Sequence, residues 1–194
     1  LALKILGTER YAHAGDHAFD PGLGVFAGLN VLPKCTAMST YSYSLAEKDV
    51  QRLQQAFVKR ANALGLYDGS VVNLDFHSIP HFGDDSVLEK HWTGARGKTM
   101  KGALTLFAQD AASRLLLYSA ADIRREEADD QILPFWRFWK GIRRVVKPTF
   151  VFDSRLTTYS RLAELNTQGV KFITLRKRGG RLLRDVGGLT GWTR

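Results

Sequence analysis

Val71-Val-Asn-Leu-Asp-Phe76 opens on two β-branched valines, places Leu74 and Phe76 two residues apart and reads as a strand, with one carboxylate, Asp75, near its late end. Gly69-Ser70 precedes it and Pro80 closes it, so it is bounded by residues that interrupt a strand. Working downstream, Ala103-Leu-Thr-Leu-Phe107 and Leu115-Leu-Leu-Tyr118 are two more strands. The turn-like Gln109-Asp-Ala-Ala-Ser113 between them predicts a hairpin. Residues 126–140 have helical spacing, with Ile132, Phe135, Trp136 and Trp139 on one face. Thr149-Phe-Val-Phe152 is a fourth strand. Residues 155–168 form a second helix, with Leu156, Tyr159, Leu162 and Leu165 turned inward, and Lys171-Phe-Ile-Thr-Leu175 is a fifth strand. Hairpin-linked strands come first and alternating helix–strand units follow. That order describes a mixed α/β sheet of five strands flanked by helices.

Upstream the pattern is helical. Ser44-Leu-Ala-Glu47 has the form of a capping box, and Val50, Leu53, Phe57, Ala61 and Leu64 repeat at helical spacing up to Gly65. Residues 23–38, broken by Gly24, Gly28 and Pro33, read as one or two short helices. A helix-turn-helix would fit this stretch, and a helical lid over a core fits it more simply. The expected division is a helical region at 1–69, able to serve in DNA binding, and an α/β domain at 70–194.

The chain of 194 residues is 44% hydrophobic and 11% aromatic, which excludes a disordered chain. Its single cysteine, Cys35, rules out an internal disulfide framework and fits a reducing, cytoplasmic setting. No apolar run approaches the roughly 20 residues that span a bilayer, so no membrane partner is expected. The chain begins without Met inside an apolar pattern and stops without a closing element, as a fragment would. Its net charge of +9 is unevenly placed. Residues 134–194 carry 14 Lys+Arg against 3 Asp+Glu, a net +11, whereas residues 1–133 are close to neutral at −2. Such asymmetry points to a polyanion, although a basic solvated face would look the same.

Two carboxylates stand at strand ends, Asp75 late in the first strand and Asp153 directly after the fourth. If the helix at 126–140 carries the chain across the sheet, strands one and four pair in parallel and both carboxylates reach one sheet edge. Neighbouring strands lie about 4.8 Å apart, so the two side chains could share a pair of divalent cations. Hard oxygen ligands suit Mg²⁺ or Mn²⁺. Taken singly, each Asp is more simply a strand-end residue that accepts hydrogen bonds from a turn.

The segments Asn73-Leu-Asp-Phe-His-Ser-Ile-Pro80, Phe150-Val-Phe-Asp-Ser-Arg-Leu-Thr-Thr-Tyr159 and Lys171-Phe-Ile-Thr-Leu-Arg-Lys-Arg-Gly179 together resemble the DDE transposases of prokaryotic insertion sequences. The resemblance covers roughly residues 70–180. It implies an RNase H-like fold, with Asp75 and Asp153 as the first and second catalytic, metal-binding aspartates of a two-ion Mg²⁺ or Mn²⁺ centre. It also implies double-stranded DNA as partner, at transposon ends and at the target, and a homo-oligomer in the complete enzyme. The family's third carboxylate, a glutamate on a later helix set in Tyr-x₂-Arg-x₃-Glu-x₆-Lys, has no match here. Glu164 falls too soon after Asp153. The resemblance therefore places that residue beyond Arg194 and implies that the chain is inactive alone. The basic positions Arg176, Lys177, Arg178, Arg181 and Arg184 are expected to contact DNA phosphates. The rival readings are a non-catalytic DNA-binding protein with structural aspartates, and another RNase H-like nuclease such as a resolvase.

Other motifs carry less. Gly97-Lys98-Thr99 ends like a P-loop, but the position needing the first glycine is Trp92, so residues 93–102 read as an exposed structural loop, with a mobile loop near the catalytic edge as the alternative. His77 and His81 are separated by Pro80, and His77 is read as packed. Asp84-Asp85 and Asp129-Asp130 are read as solvated, and the aromatics from Phe135 to Trp139 as packing against the sheet.

Overall fold

The computed structural model describes residues 2–8, 10–83, 87–142 and 147–191. The chain divides into two compact units, Leu1–Leu53 and Gln54–Arg194. Among its described residues the first has helices as its only regular elements, with α1 at Ala2–Ile5, α2 at Pro21–Phe26 and α3 at Cys35–Tyr41. Asp20 caps α2 by accepting from the Leu23 N–H at 3.0 Å, and Pro21 occupies its first turn, where a missing N–H costs nothing. Helix α4, Glu47–Ala63, crosses from one unit to the other. No described helix is long and apolar enough to cross a membrane.

The second unit is built on a six-stranded sheet. Its strands are β1 (Val71–Pro80), β2 (Lys90–Thr93), β3 (Lys98–Asp110), β4 (Leu116–Ala120), β5 (Thr149–Phe152) and β6 (Lys171–Thr174). β1 lies antiparallel to β3 and parallel to β5, β6 continues the parallel side, and β4 is antiparallel to β3 at the other edge. The order β4-β3-β1-β5-β6, with three antiparallel strands followed by two parallel ones, is the RNase H-like arrangement. β2 is an addition, paired to the early end of β3.

Helices α5 (Ile132–Ile142) and α6 (Tyr159–Thr167) supply the crossovers. The apolar face expected of α5 is the buried one: Phe135 and Trp139 are fully buried, and Phe135 packs on Phe150 of β5 with ring centres 5.1 Å apart. The sheet contributes Val72, Leu74, Leu104, Leu106, Ala108, Phe150 and Phe152 to the same core. At roughly 1.5–3 kcal/mol for each large side chain removed from water, this layer dominates the unit's stability.

Several expectations are corrected. The sheet has six strands rather than five, because residues 93–102 form a tight turn with Gly97 at φ 60° and the start of β3 instead of a loop. Asp75 stands in the middle of β1, which runs on to Pro80 because β3 continues to pair with it. Ser44 caps nothing; its hydroxyl donates to the Tyr41 carbonyl at 2.7 Å, and α4 starts at Glu47. On α4 the buried side chain is Val58, while Val50, Leu53, Phe57 and Leu64 remain exposed. Tyr159 is also exposed, because α6 begins there under a Thr158 cap; Leu156, in the preceding 3₁₀ turn, and Leu162 and Leu165 do reach the core.

The β4 edge is blunted by α4. Gln54 donates its side-chain amide to the Ser119 carbonyl at 2.9 Å and accepts the Ser119 N–H at 2.8 Å, doing for the exposed backbone what another strand would do. Asp110, at the end of β3, ties the start of β1 to the β3–β4 turn. It accepts from the N–H of Gly69 at 2.7 Å and from the N–H and hydroxyl of Ser113 at 2.7 and 2.8 Å. Burial pushes the Asp110 carboxyl up, but these donors outweigh it and hold the group below the ordinary carboxylate range.

Candidate metal centre

The parallel register of β1 and β5 ends at the pair Leu74–Phe152. Asp75 and Asp153 are each the next residue, at the carboxyl end of the paired segment. Alternation puts Asp75 on the face opposite Leu74, together with exposed Asn73 and His77, and Asp153 leaves the end of β5 in extended backbone, one residue past core-facing Phe152.

The two differ in their partners. Asp153 caps a short 3₁₀ turn, Ser154–Leu156, and its Oδ1 accepts the Arg155 N–H at 2.9 Å. This is the strand-end role that a structural aspartate would have, and it also fixes the carboxylate's direction while leaving Oδ2 for a ligand. Asp75 is exposed and makes no hydrogen bond or ion pair with the described residues. A bare carboxylate in mid-strand, at a position where aspartate is disfavoured, gains nothing local from being there. Two residues on, the His77 ring lies against Phe107, centres 6.4 Å apart, which is the packing expected of it.

As a donor set, two exposed, hard carboxylates in adjoining register suit a divalent cation such as Mg²⁺ or Mn²⁺. Among the described residues, no third His, Cys, Asp or Glu joins them to complete a group able to hold an ion. Glu164 is engaged elsewhere. Its carboxylate meets Arg161 at 3.4 Å, and the same guanidinium pairs with Asp130 at 2.7 Å, which holds the Asp130 carboxyl below its ordinary range. Asp84 and Asp85 lie outside the described residues.

The basic positions fall beyond β6. Arg176, Lys177 and Arg178 occupy an exposed segment, and Arg181 and Arg184 lie on α7, Gly180–Gly187, a short helix that the sequence pattern does not predict. Lys177 Nζ sits 3.4 Å from Asp129, so part of its charge is already balanced and Asp129 is not simply solvated.

No known protein family matches the chain by sequence, and no curated protein matches it. Solved structures similar to it include a piggyBac transposase synaptic complex with hairpin DNA, at 10% identity and TM-score 0.46, covering 76% of this chain and 33% of that one. The catalytic domain of Mos1 mariner transposase is similar at 13% identity and TM-score 0.39, covering 74% and 72%. A Mos1 paired-end complex with left transposon end is similar at 12% identity and TM-score 0.37, covering 84% and 58%. The chain thus spans about a third of the piggyBac protein and under three fifths of the Mos1 protein in that complex. These likenesses are remote, and the RNase H-like assignment stands on the strand order itself.

Proposed function

We propose that this chain is the greater part of a transposase catalytic domain that cleaves and joins DNA with divalent metal ions. The observation that carries the proposal is Asp75: exposed, unpartnered among the described residues, and in adjoining register with Asp153 on the open face of an RNase H-like sheet. Asp75 and Asp153 would hold the ions jointly, with a third carboxylate from outside the described residues. When bound, a pair of such ions supplies an activated water or 3′-hydroxyl and offsets charge on the leaving oxygen. The chain's own contribution is to fix two carboxylates on neighbouring strands and to keep Asp153 aimed through its hydrogen bond to Arg155. Arg176, Lys177, Arg178, Arg181 and Arg184 would hold duplex phosphates at transposon ends and target without reading sequence. The working enzyme would be a homo-oligomer of an insertion-sequence type.

The test is end-labelled transposon-end DNA with Mg²⁺, incubated with this chain and with a protein extended past Arg194. The extended protein should cut at the element's ends and this chain should not. Asp75→Asn or Asp153→Asn should abolish the cutting, because an amide keeps the size and loses the charge. Cutting that survives both substitutions removes these aspartates from the chemistry. Robust cutting by this chain would instead mean that its own residues complete the site, with Glu164 and Asp85 the first to examine.

A further inference from the structure

We propose that the hairpin of β2 and β3 is a separate DNA-binding arm, in which Trp92 stacks on an unpaired base while Lys90, on the same face, holds an adjoining phosphate. The choice of DNA rests on the functional reading above; the arm itself is argued from its own residues.

The first observation is an inversion of polarity. Along β2, Lys90 and Trp92 face solvent while His91 and Thr93 are buried, at 2% and 3% exposure. Trp92 is 61% exposed. A one-residue slip would bury the indole and release the two polar side chains. The register instead leaves His91 Nδ1 and Thr93 Oγ1 buried without hydrogen-bond partners. Burial pushes the His91 imidazole down from its ordinary value, with nearby Arg125 and Arg155 adding to the effect and Glu89 opposing it. The strand thus turns its two polar side chains inward and its one large aromatic ring outward.

The second observation is charge. Residues 87–102 hold four Lys+Arg and one acidic residue, Glu89, which accepts the Arg125 N–H at 2.8 Å. At the tip, Arg96 lies over the ring of Phe82, 5.8 Å from its centre, and that ring is itself 71% exposed. Exposed aromatics interleaved with cations match a single nucleic-acid strand, whose bases offer π-faces and whose backbone offers phosphates. An acidic peptide would use the cations but not a flat stacking surface.

The third observation is position. Gly102 lets β3 pass from β1 to β2: a Cβ there would collide with the Ile79 carbonyl oxygen. The base of the arm is tied down by Arg124, which donates to the Val87 carbonyl at 3.0 Å, and by Arg125, which donates to that of Lys90. Register through β3 puts Trp92, opposite Thr99, on the same face as Asp75, opposite Phe107. The separation along β3 is about 26 Å at roughly 3.3 Å per residue. The arm would therefore meet the strand several nucleotides from the carboxylates, outside the metal centre.

The experiment is fluorescence anisotropy of this 194-residue chain, without metal, on a labelled duplex bearing a single-stranded overhang and on the same duplex blunt. Wild type should prefer the overhang. Trp92→Ala should weaken overhang binding about tenfold and leave blunt binding unchanged. Trp92→Phe should retain most of the preference, and Trp92→Leu should lose it, since leucine is apolar but has no stacking plane. Lys90→Ala should weaken both and flatten the salt dependence of overhang binding by about 0.7 in log–log slope. Unchanged thermal midpoints are expected for the Trp92 variants, and Trp92→Phe keeps the test open if alanine perturbs folding. Overhang preference surviving in Trp92→Ala, leucine serving as well as tryptophan, or no binding to either DNA overturns the arm. This binding is read without metal and cleavage is read with it, so failure of the arm and failure of the metal centre show up in different assays.

Discussion

The two faces of the sheet were built to different rules. On the face under α5 and α6, alternating positions of β1, β3 and β5 are Val, Leu, Ala and Phe, packed so closely that Val72, Leu106 and Phe150 have no exposure at all. On the other face, the same strands present Asn73, Asp75 and His77 to solvent, and Ile173 of β6 is 63% exposed. One face is satisfied by contacts within the unit. On the other, His77 rests against Phe107, but Asp75 has no hydrogen bond or ion pair with the described residues. The difference separates what folds the domain from what the domain is for, and each substitution below tests which side of that line a residue belongs to.

The largest effect belongs to the covered face. Trp139→Ala should cost about 3–5 kcal/mol, since it removes a fully buried ring that also touches Tyr67 and Phe135. Urea denaturation would measure it. A loss below about 1 kcal/mol would mean that α5 is not the main cover of the sheet.

Next comes Asp110→Ala, which leaves the N–H groups of Gly69 and Ser113 without their acceptor and should cost about 2–3 kcal/mol. The pH dependence follows from its depressed pKa. The unfolded chain binds the proton more readily, so the carboxylate's contribution is complete above the unfolded value near 3.9 and is lost as pH falls through the lower folded value. Acid unfolding followed by circular dichroism should lose this component in the variant. His91 acts in the same direction at higher pH: its folded pKa is depressed by burial, so stability should decline as pH drops below about 6.5. A His91→Asn variant should show a flatter profile between pH 7 and 5.

Gln54→Ala should be milder, about 1–2 kcal/mol for two hydrogen bonds on a partly solvated edge. If α4 blunts β4 as described, the variant should also aggregate sooner on heating. The smallest effect on stability is expected for Asp75→Asn, within about 0.5 kcal/mol, because the exposed carboxylate has no partner to lose. A clear destabilisation would move Asp75 to the structural side of the comparison.

Much of the covered face is legible in the sequence because it is written in periodicity. The α5 stripe of Ile132, Phe135, Trp136 and Trp139, and the alternation around Leu74 and Phe152, mark buried surfaces by their spacing alone. The parallel pairing of β1 with β5, which ends at Leu74 and Phe152, also follows from strand order, since a helical crossover makes the strands parallel. The rest depends on long-range partners that local pattern does not encode. The register of β2 is set by β3 and the Gly97 turn, and a four-residue Lys-His-Trp-Thr strand reads backwards if the tryptophan is assumed to be inside. The Ser44 cap fails because its hydroxyl has a nearer carbonyl at Tyr41. The α4 stripe misleads for a related reason: only Val58 and Ala61 reach the core, and amphipathic spacing cannot say how far along a helix that contact extends.

The central claim is that Asp75 and Asp153 act as one site. Mn²⁺ titration of this chain, followed by electron paramagnetic resonance, tests it most directly. Weak binding, on the order of millimolar, is expected for a centre with two carboxylates. Asp75→Asn and Asp153→Asn should each remove it, and the double variant should lose nothing more, because both ligands serve the same ion. Mn²⁺ binding that survives both substitutions, or losses that simply add, would contradict a shared centre on the open face.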